Sequence, residues 1–186
     1  MLIGFVYLGG NAMLIYRVMR IETKPRLKIL HALINGASFI LAMIGLIAVF
    51  GSHNNALPKP IPNLYTLHSW IGLGTFILFG LQFVAGFASF LFPGMPDGIR
   101  AMIMPLHVYG GIAIFSLSVV AVISGLNQKA VFKLGGDYAA RVPEATIMNF
   151  IGISVALFAL TVGYLVTRPE YKRVPRPEEQ RLVDHH

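Results

Sequence analysis

Four long stretches of this chain contain no Asp, Glu, Lys or Arg: Ile29–Phe50, Leu64–Phe92, Met102–Gly125 and Ala145–Thr167, with a shorter one, Met1–Tyr16, ahead of them. The hydrocarbon core of a bilayer is about 30 Å thick and takes roughly 20 helical residues to cross. Each of the four long runs is therefore sufficient for a membrane span. Composition points the same way: 55% of the 186 residues are apolar and 12% charged, with a mean hydropathy of +0.68, against roughly 25% charge in a soluble globular protein. These values exclude a single soluble core and exclude disorder. The absence of cysteine excludes a disulfide scaffold and leaves the redox compartment open. A net charge of +7 and a pI near 9.9 would suit nucleic acid only if the basic residues shared an accessible face with aromatics. Here they fall between or beside the apolar runs, so the basicity is read as membrane topology and a nucleic-acid partner is excluded.

Lys and Arg concentrate on the cytoplasmic side of membrane proteins. The first connection holds Arg17, Arg20, Lys24, Arg26 and Lys28, the second Lys59, the third Arg100, and the fourth Lys129, Lys133 and Arg141. The tail holds Arg168, Lys172, Arg173, Arg176 and Arg181. Placing the first and third connections and the tail in the cytoplasm puts eleven basic residues inside and four outside. The N-terminus is then outside or lumenal and the C-terminus cytoplasmic. Pro58, Pro60, Pro62, Pro93 and Pro96 break the connections, and Pro105 is expected to begin a helix, where its missing N–H costs nothing. The first run is not a signal peptide, because Arg17 and Arg20 follow it instead of preceding it; it reads as a span whose beginning is missing or abbreviated. The expectation is an all-α membrane protein, a transmembrane helical bundle with five spans present. Residues 1–167 form the transmembrane domain and residues 168–186 a disordered, solvated cytoplasmic tail.

Ionisable side chains inside a bilayer are costly and mark function by default. His31 begins the second run, His68 lies near the start of the third and His107 of the fourth, while His53 follows the second at the outer face. Consecutive helices run antiparallel, so His31 and His107 share the cytoplasmic leaflet and His68 faces the outer one. At helical spacing His31 is followed by Asn35, Ser38, Ala42 and Gly45, His68 by Gly72 and Thr75, and His107 by Gly110 and Gly111. Small residues beside an inward imidazole leave room for something flat and large, but they also let helices pack closely without a ligand. Two readings stand: hydrogen-bonded packing histidines, or a trans-axial pair on one haem iron. Zinc fits less well, because it wants four N, S or O ligands and the spans hold neither cysteine nor acidic residues. A haem with two imidazoles has both axial positions filled, and its chemistry is one-electron transfer.

The sequence resembles the cytochrome b561 family over Gly4–Arg173. The resemblance is carried by Gly10-Asn11-Ala12 through Tyr16-Arg17 with Lys28 and His31, by Leu64-Tyr65-Thr66-Leu67-His68-Ser69-Trp70, by Arg100 with Met104-Pro105-Leu106-His107-Val108-Tyr109, and by Thr167-Arg168-Pro169. Within the family it is most similar to the animal duodenal and lysosomal ascorbate-dependent ferric reductases. The resemblance implies six helices, a four-helix haem-binding core and two b-type haems, with ascorbate oxidised on the cytoplasmic side. Matched residue by residue, it implies that His31 and His107 ligate the cytoplasmic haem and that His68 ligates the outer one. Lys28, Arg17 and Arg100 match basic positions near the ascorbate site, and His53 a histidine at the outer substrate site. The chain departs from the pattern at its start: the second ligand of the outer haem and the family's first helix would lie before Met1. The expectation is therefore an apparently truncated chain that completes the cytoplasmic haem and not the outer one.

The function expected is electron transfer from cytoplasmic ascorbate through haem b to ferric iron or monodehydroascorbate. The alternative is a truncated, non-enzymatic haem-binding membrane protein. Lys28 lies one helical turn before His31 and Arg100 two turns before His107, so both can project toward one pocket, although juxtamembrane cations also serve orientation and lipid contact. Phe76, Phe79 and Phe115 lie between the two haem levels and are as readily packing or lipid-facing residues. The resemblance also implies a homodimer, set in a lysosomal or other endomembrane or in the plasma membrane.

Overall fold

The computed structural model describes residues 2–174. It is built of helices, beginning with wide π-type turns over Leu2–Leu8 that run into α1, Gly9–Val18. There follow α2 (Lys24–Asn54), α3 (Leu67–Phe90), α4 (Asp97–Leu134) and α5 (Pro143–Thr167), with short 3₁₀ turns at Gly135–Tyr138 and Pro169–Tyr171. The four long helices are apolar and long enough to cross a membrane, and Leu2–Val18 is a shorter apolar helix. At about 1.5 Å per residue, the 38 residues of α4 reach roughly 57 Å, well beyond the hydrocarbon thickness. A span of about 30 Å leaves part of this helix outside the hydrocarbon. Of the tail expected over 168–186, the part from residue 175 onward lies outside the described residues.

Helix ends follow from local chemistry. Thr66 caps α3 in a reciprocal box with Ser69: the Ser69 N–H donates to Thr66 Oγ1 at 3.3 Å and the Thr66 N–H to Ser69 Oγ at 3.2 Å. Proline occupies the first turn of α2 and of α5, where no intrahelical N–H bond is lost. Pro105 is a correction to the sequence reading. It lies inside α4, whose first turn begins at Asp97 after Pro96. An acidic residue at the positive end of the helix dipole starts the helix earlier than the uncharged run does. Pro105 therefore removes one bond from the ladder in mid-helix, as membrane helices tolerate.

Neighbouring helices close a circuit: α1 on α2, α2 on α3, α3 on α4, α4 on α5, and α5 back on α1. The buried core sits where the N-terminal helix, α4 and α5 meet, around Val6, Phe115, Val122, Val155 and Val162. Outward faces carry lipid-compatible side chains such as Ile47, Leu81 and Leu160. Lipid tails are as apolar as leucine, so these helices are held by close packing and interhelical hydrogen bonds, not by hydrophobic exclusion. Ser38, fully buried on α2, donates to the carbonyl of Gly4 at 2.7 Å. On α1, Gly10 lies beneath two aromatic rings; a Cβ there would be 2.7 Å from Phe158 and 3.2 Å from Phe115. Between the levels of His68 and His107, the rings of Phe39 and Phe76 stack at 5.3 Å and those of Phe5 and Phe79 meet at 4.9 Å. Phe76 and Phe79 are thus helix-packing residues in this structure.

The Gly10 contact yields a direct test. Gly10→Ala forces the Phe158 ring off α1, and overpacking of this kind costs about 1–3 kcal/mol. A lowered thermal unfolding midpoint in detergent is expected, and an unchanged midpoint would show that α1 and α5 are not seated there.

Candidate functional site

Three intramembrane histidines are set by contacts between helices. His31, on α2, places Nδ1 2.8 Å from the carbonyl oxygen of Ala12 on α1. His68, on α3, places Nδ1 2.8 Å from the carbonyl oxygen of Ala121 on α4. A carbonyl only accepts, so each Nδ1 carries the proton and donates it. Each Nε2 is left with its lone pair, the form in which imidazole binds a metal. The ring of His107, on α4, lies 6.4 Å from that of His31, centre to centre, with the planes at 68°. Phe90 closes one side of His107 at 5.1 Å and Tyr16 one side of His31 at 5.8 Å.

The structure thus brings His31 and His107 together and leaves His68 elsewhere. His68 packs on Gly125, where an added Cβ would be 2.6 Å from its ring. Gly125 lies eighteen residues beyond His107, about 27 Å along the helix. Among the described residues no group of three or more His, Cys, Asp or Glu side chains assembles. The pair at His31 and His107 is a site of two imidazoles.

A relation between α3 and α4 was missed in the sequence reading. His107 packs on Gly86 of α3, where an added Cβ would be 2.8 Å from its ring, and meets the side chain of Gln82. His68 packs on Gly125 of α4 and meets the backbone of Ala121. Gln82 and Gly86 follow His68 by fourteen and eighteen residues, and Ala121 and Gly125 follow His107 by the same intervals. Each helix therefore carries a histidine near its start and a glycine seat for the partner's histidine five turns on, in antiparallel register. The repeated interval was the available signal. Of the two readings given to Gly110 and Gly111, room for a planar group or close helix packing, the second describes this structure. They face the Gln82 amide, and a Cβ at Gly110 would be 3.0 Å from its Oε1. Gly45 and Gly72, by contrast, face open space.

The basic residues divide into two sets. Lys28 donates through Nζ to the carbonyl of Phe90 at 3.1 Å, in the last turn of α3 beside His107. Arg100 is paired with Asp97 one turn earlier on α4, near enough to Lys28 for the two positive charges to repel. Both lie on the rim of the paired imidazoles. Arg17 is elsewhere: its guanidinium binds the carbonyl of Val166 and, at 2.9 Å, that of Arg168. It thereby caps the end of α5, whose last carbonyls have no intrahelical donors. Arg20 reaches the carbonyl of Lys172 at 3.3 Å, and Arg173 that of Glu22 at 3.0 Å, so α1 and the segment after α5 are tied together. At the opposite end His53 shares a hydrogen bond with Asn63 Oδ1 at 3.1 Å, and Asn63 donates to Asn54 at 2.7 Å. This holds the connection to α3 over the end of α2.

A membrane helical bundle with paired intramembrane imidazoles and a cationic rim beside them is the class these features define. The model of the eukaryotic cytochrome b561 family matches residues 1–133. The chain is 43% identical over 182 residues to a transmembrane ascorbate-dependent reductase of Ovis aries and 42% identical to that of Homo sapiens, in each case over 98% of this chain and 71% of the relative. It is 38% identical to a plasma membrane ascorbate-dependent reductase of Rattus norvegicus, over 94% of this chain and 61% of that protein. The chain belongs to the cytochrome b561 family.

Arg17 separates a structural from a substrate role. Arg17→Gln removes charge-assisted bonds to helix-end carbonyls, each worth about 1.5–3 kcal/mol, and should lower the thermal midpoint in detergent by several degrees. An unchanged midpoint with slower reduction by ascorbate would return Arg17 to the substrate site.

Proposed function

We propose that this protein carries electrons one at a time across a membrane, from cytoplasmic ascorbate through haem b to ferric iron or monodehydroascorbate on the other side. The observation that carries the reading is the His31–His107 pair. Two imidazoles bound on opposite sides of one metal ion, with bonds of about 2.0–2.1 Å, have ring centres roughly 6 Å apart, and these stand 6.4 Å apart. The bond from His31 Nδ1 to Ala12 leaves Nε2 free for such a role. Membership of a family that includes ascorbate-dependent reductases supports the same chemistry. Haem b, when bound, supplies a one-electron carrier that needs no open coordination position.

His68 is proposed as a ligand of a second haem in the opposite leaflet, since its own Nδ1 donates to Ala121 in the same manner as that of His31. Leu2–Val18 is proposed as a fifth span and α1 to α4 as the haem-binding core. The excess of Lys and Arg at the ends carrying Lys28, Arg100 and the segment after α5 supports a cytoplasmic location for that face. Residues 1–167 are then the transmembrane domain, followed by a cytoplasmic tail. By the resemblance the protein acts as a homodimer in an endomembrane or the plasma membrane.

The chain's own groups do the binding. Ascorbate is a monoanion at neutral pH, and the rim cations Lys28 and Arg100 attract it and donate to its oxygens. Lys28 uses one N–H on Phe90, and an ammonium group has three, so donors remain for a ligand. On the opposite side His53 is proposed to contact the acceptor.

Two measurements test the reading. His31→Ala and His107→Ala should each remove the same haem from the reduced-minus-oxidised difference spectrum; full haem content in both variants, or loss of spectroscopically different haems, would falsify the pairing. In steady-state turnover, Lys28→Ala and Arg100→Ala should slow haem reduction by ascorbate about tenfold, for a lost contact of about 1.4 kcal/mol, and leave reduction by a small neutral reductant unchanged. His53→Ala should slow only the reduction of a ferric chelate. Equal slowing with every reductant would instead report structural damage.

A further inference from the structure

An apolar groove of about 380 Å³ opens between α4 and α5, with Met13 of α1 among its walls. On α5 it runs from Ala156 past Gly163 to Thr167, and Phe115 and Ser116 border it on α4. Small residues keep it open: a Cβ added at Gly163 would have no neighbour within 4 Å. Eleven residues separate Ala156 from Thr167, about 16 Å along the helix, close to half of a hydrocarbon core of about 30 Å. The groove therefore belongs to one leaflet. Toward the other end of α5 the concavity is a separate one, set between that helix and Val6 and Tyr7. A transmembrane helix docking along α5 would need one unbroken groove of twice this length, whereas an acyl chain needs a single leaflet.

Cations gather where the groove ends at Thr167. Arg17 stands one helical turn beyond Met13 on α1, and its guanidinium donates to the carbonyl of Arg168 at 2.9 Å. Arg168 follows Thr167 directly and is exposed, with its guanidinium carbon 4.8 Å from the centre of the Tyr164 ring, which fixes the charge at the end of the helix. Arg20 and Lys172 are exposed beside them, Arg20 donating to the carbonyl of Lys172 at 3.3 Å. The acidic residues on the same segments are Glu22 and Glu170, and Glu22 is already paired with Arg26. An apolar groove thus runs from the middle of the bundle to a corner where positive charge predominates.

We propose that this groove seats one acidic phospholipid, with an acyl chain between α4 and α5 and the anionic headgroup against Arg168, in the field of Arg17, Arg20 and Lys172. A guanidinium matches phosphate oxygens with paired N–H donors. A zwitterionic lipid brings a cation together with its phosphate, and four clustered cations repel it, so the corner selects lipids of net negative charge. Juxtamembrane Lys and Arg alone would give only diffuse attraction to the membrane surface. The groove leading away from them supplies the second, apolar half of a site, and basic pockets between spans are where acidic headgroups bind. On the orientation proposed above, this end faces the cytoplasmic leaflet, the one that carries acidic lipids. A lipid seated there touches α1, α4 and α5 together and stabilises their packing by mass action.

The test is native mass spectrometry of the full chain in detergent, titrated with phosphatidylserine and, separately, with phosphatidylcholine of the same acyl chains. One phosphatidylserine should be retained at concentrations where phosphatidylcholine is not, and its binding should raise the thermal midpoint. Arg168→Gln removes one headgroup contact and should weaken phosphatidylserine about fivefold while leaving phosphatidylcholine unchanged. Gly163→Leu fills the groove without meeting protein atoms at its Cβ and should abolish retention of phosphatidylserine. Equal retention of the two lipids, or an Arg168→Gln variant that binds phosphatidylserine as before, overturns the proposal. Retention that survives Gly163→Leu places the lipid elsewhere and overturns it too, and so does a dimer that Gly163→Leu dissociates, which would make a second copy the occupant. Should Gly163→Leu not fold, Ser116→Phe, on the α4 wall of the groove, is read in the same way. If neither variant folds, the groove is a packing surface and the proposal fails.

Discussion

A polar side chain inside lipid has no water to turn to, and the backbone carbonyls of neighbouring helices are the acceptors within reach. That constraint recurs along the bundle. His31 donates to Ala12, His68 to Ala121, Ser38 to Gly4 and Gln82 to His107. At the helix ends Lys28 donates to Phe90 and Arg17 to Val166. One set of bonds therefore does two things. It ties α1 to α2, α3 to α4 and α1 to α5, and it fixes which nitrogen of an imidazole keeps its proton. A histidine oriented in this way keeps the lone pair of its other nitrogen, so the protonation of the ring and the cohesion of the bundle have a common origin.

Glycine supplies the complementary half. An imidazole can reach a hydrogen-bonding group on the next helix only if that helix is close and has no side chain in the way, which is the condition met at Gly86 and Gly125. The antiparallel pair α3 and α4 repeats this solution once in each leaflet. Its departure from symmetry is confined to the atom facing Nδ1, a backbone oxygen in one leaflet and the Gln82 nitrogen in the other. Two sites of similar shape are thereby given different electrostatic surroundings with little change of packing.

Much of this was legible in the chain. Uncharged length alone located the four long helices, and the alternation of antiparallel spans placed His31 with His107, which the structure sets side by side. Pro105 was misread because an uncharged run marks the lipid-facing part of a helix, whereas Asp97 marks where the helix begins. The glycines after His107 were recognised as making room, but the occupant was not, since a glutamine on another helix gives no local periodic signal. Arg17 was grouped with Lys28 by the family resemblance, which matches both to basic positions near the ascorbate site. The carbonyls it caps belong to Val166 and Arg168, some 150 residues away in sequence.

The division among the cations follows from where helices end. The C-terminal end of a helix exposes carbonyls, and a Lys or Arg from a neighbouring helix can cap them. At α5 the capping guanidinium of Arg17 is spent on two carbonyls, and Arg20 and Arg173 add further ties around it, so that corner is a fastening. At α3 the capping group is a lysine with a single carbonyl partner, beside the aromatic wall of His107 and within the field of Arg100. A capped helix end with unspent donors and a second cation nearby is a corner of positive potential. The basic residues at the helix ends therefore also concentrate positive charge at one edge of the bundle.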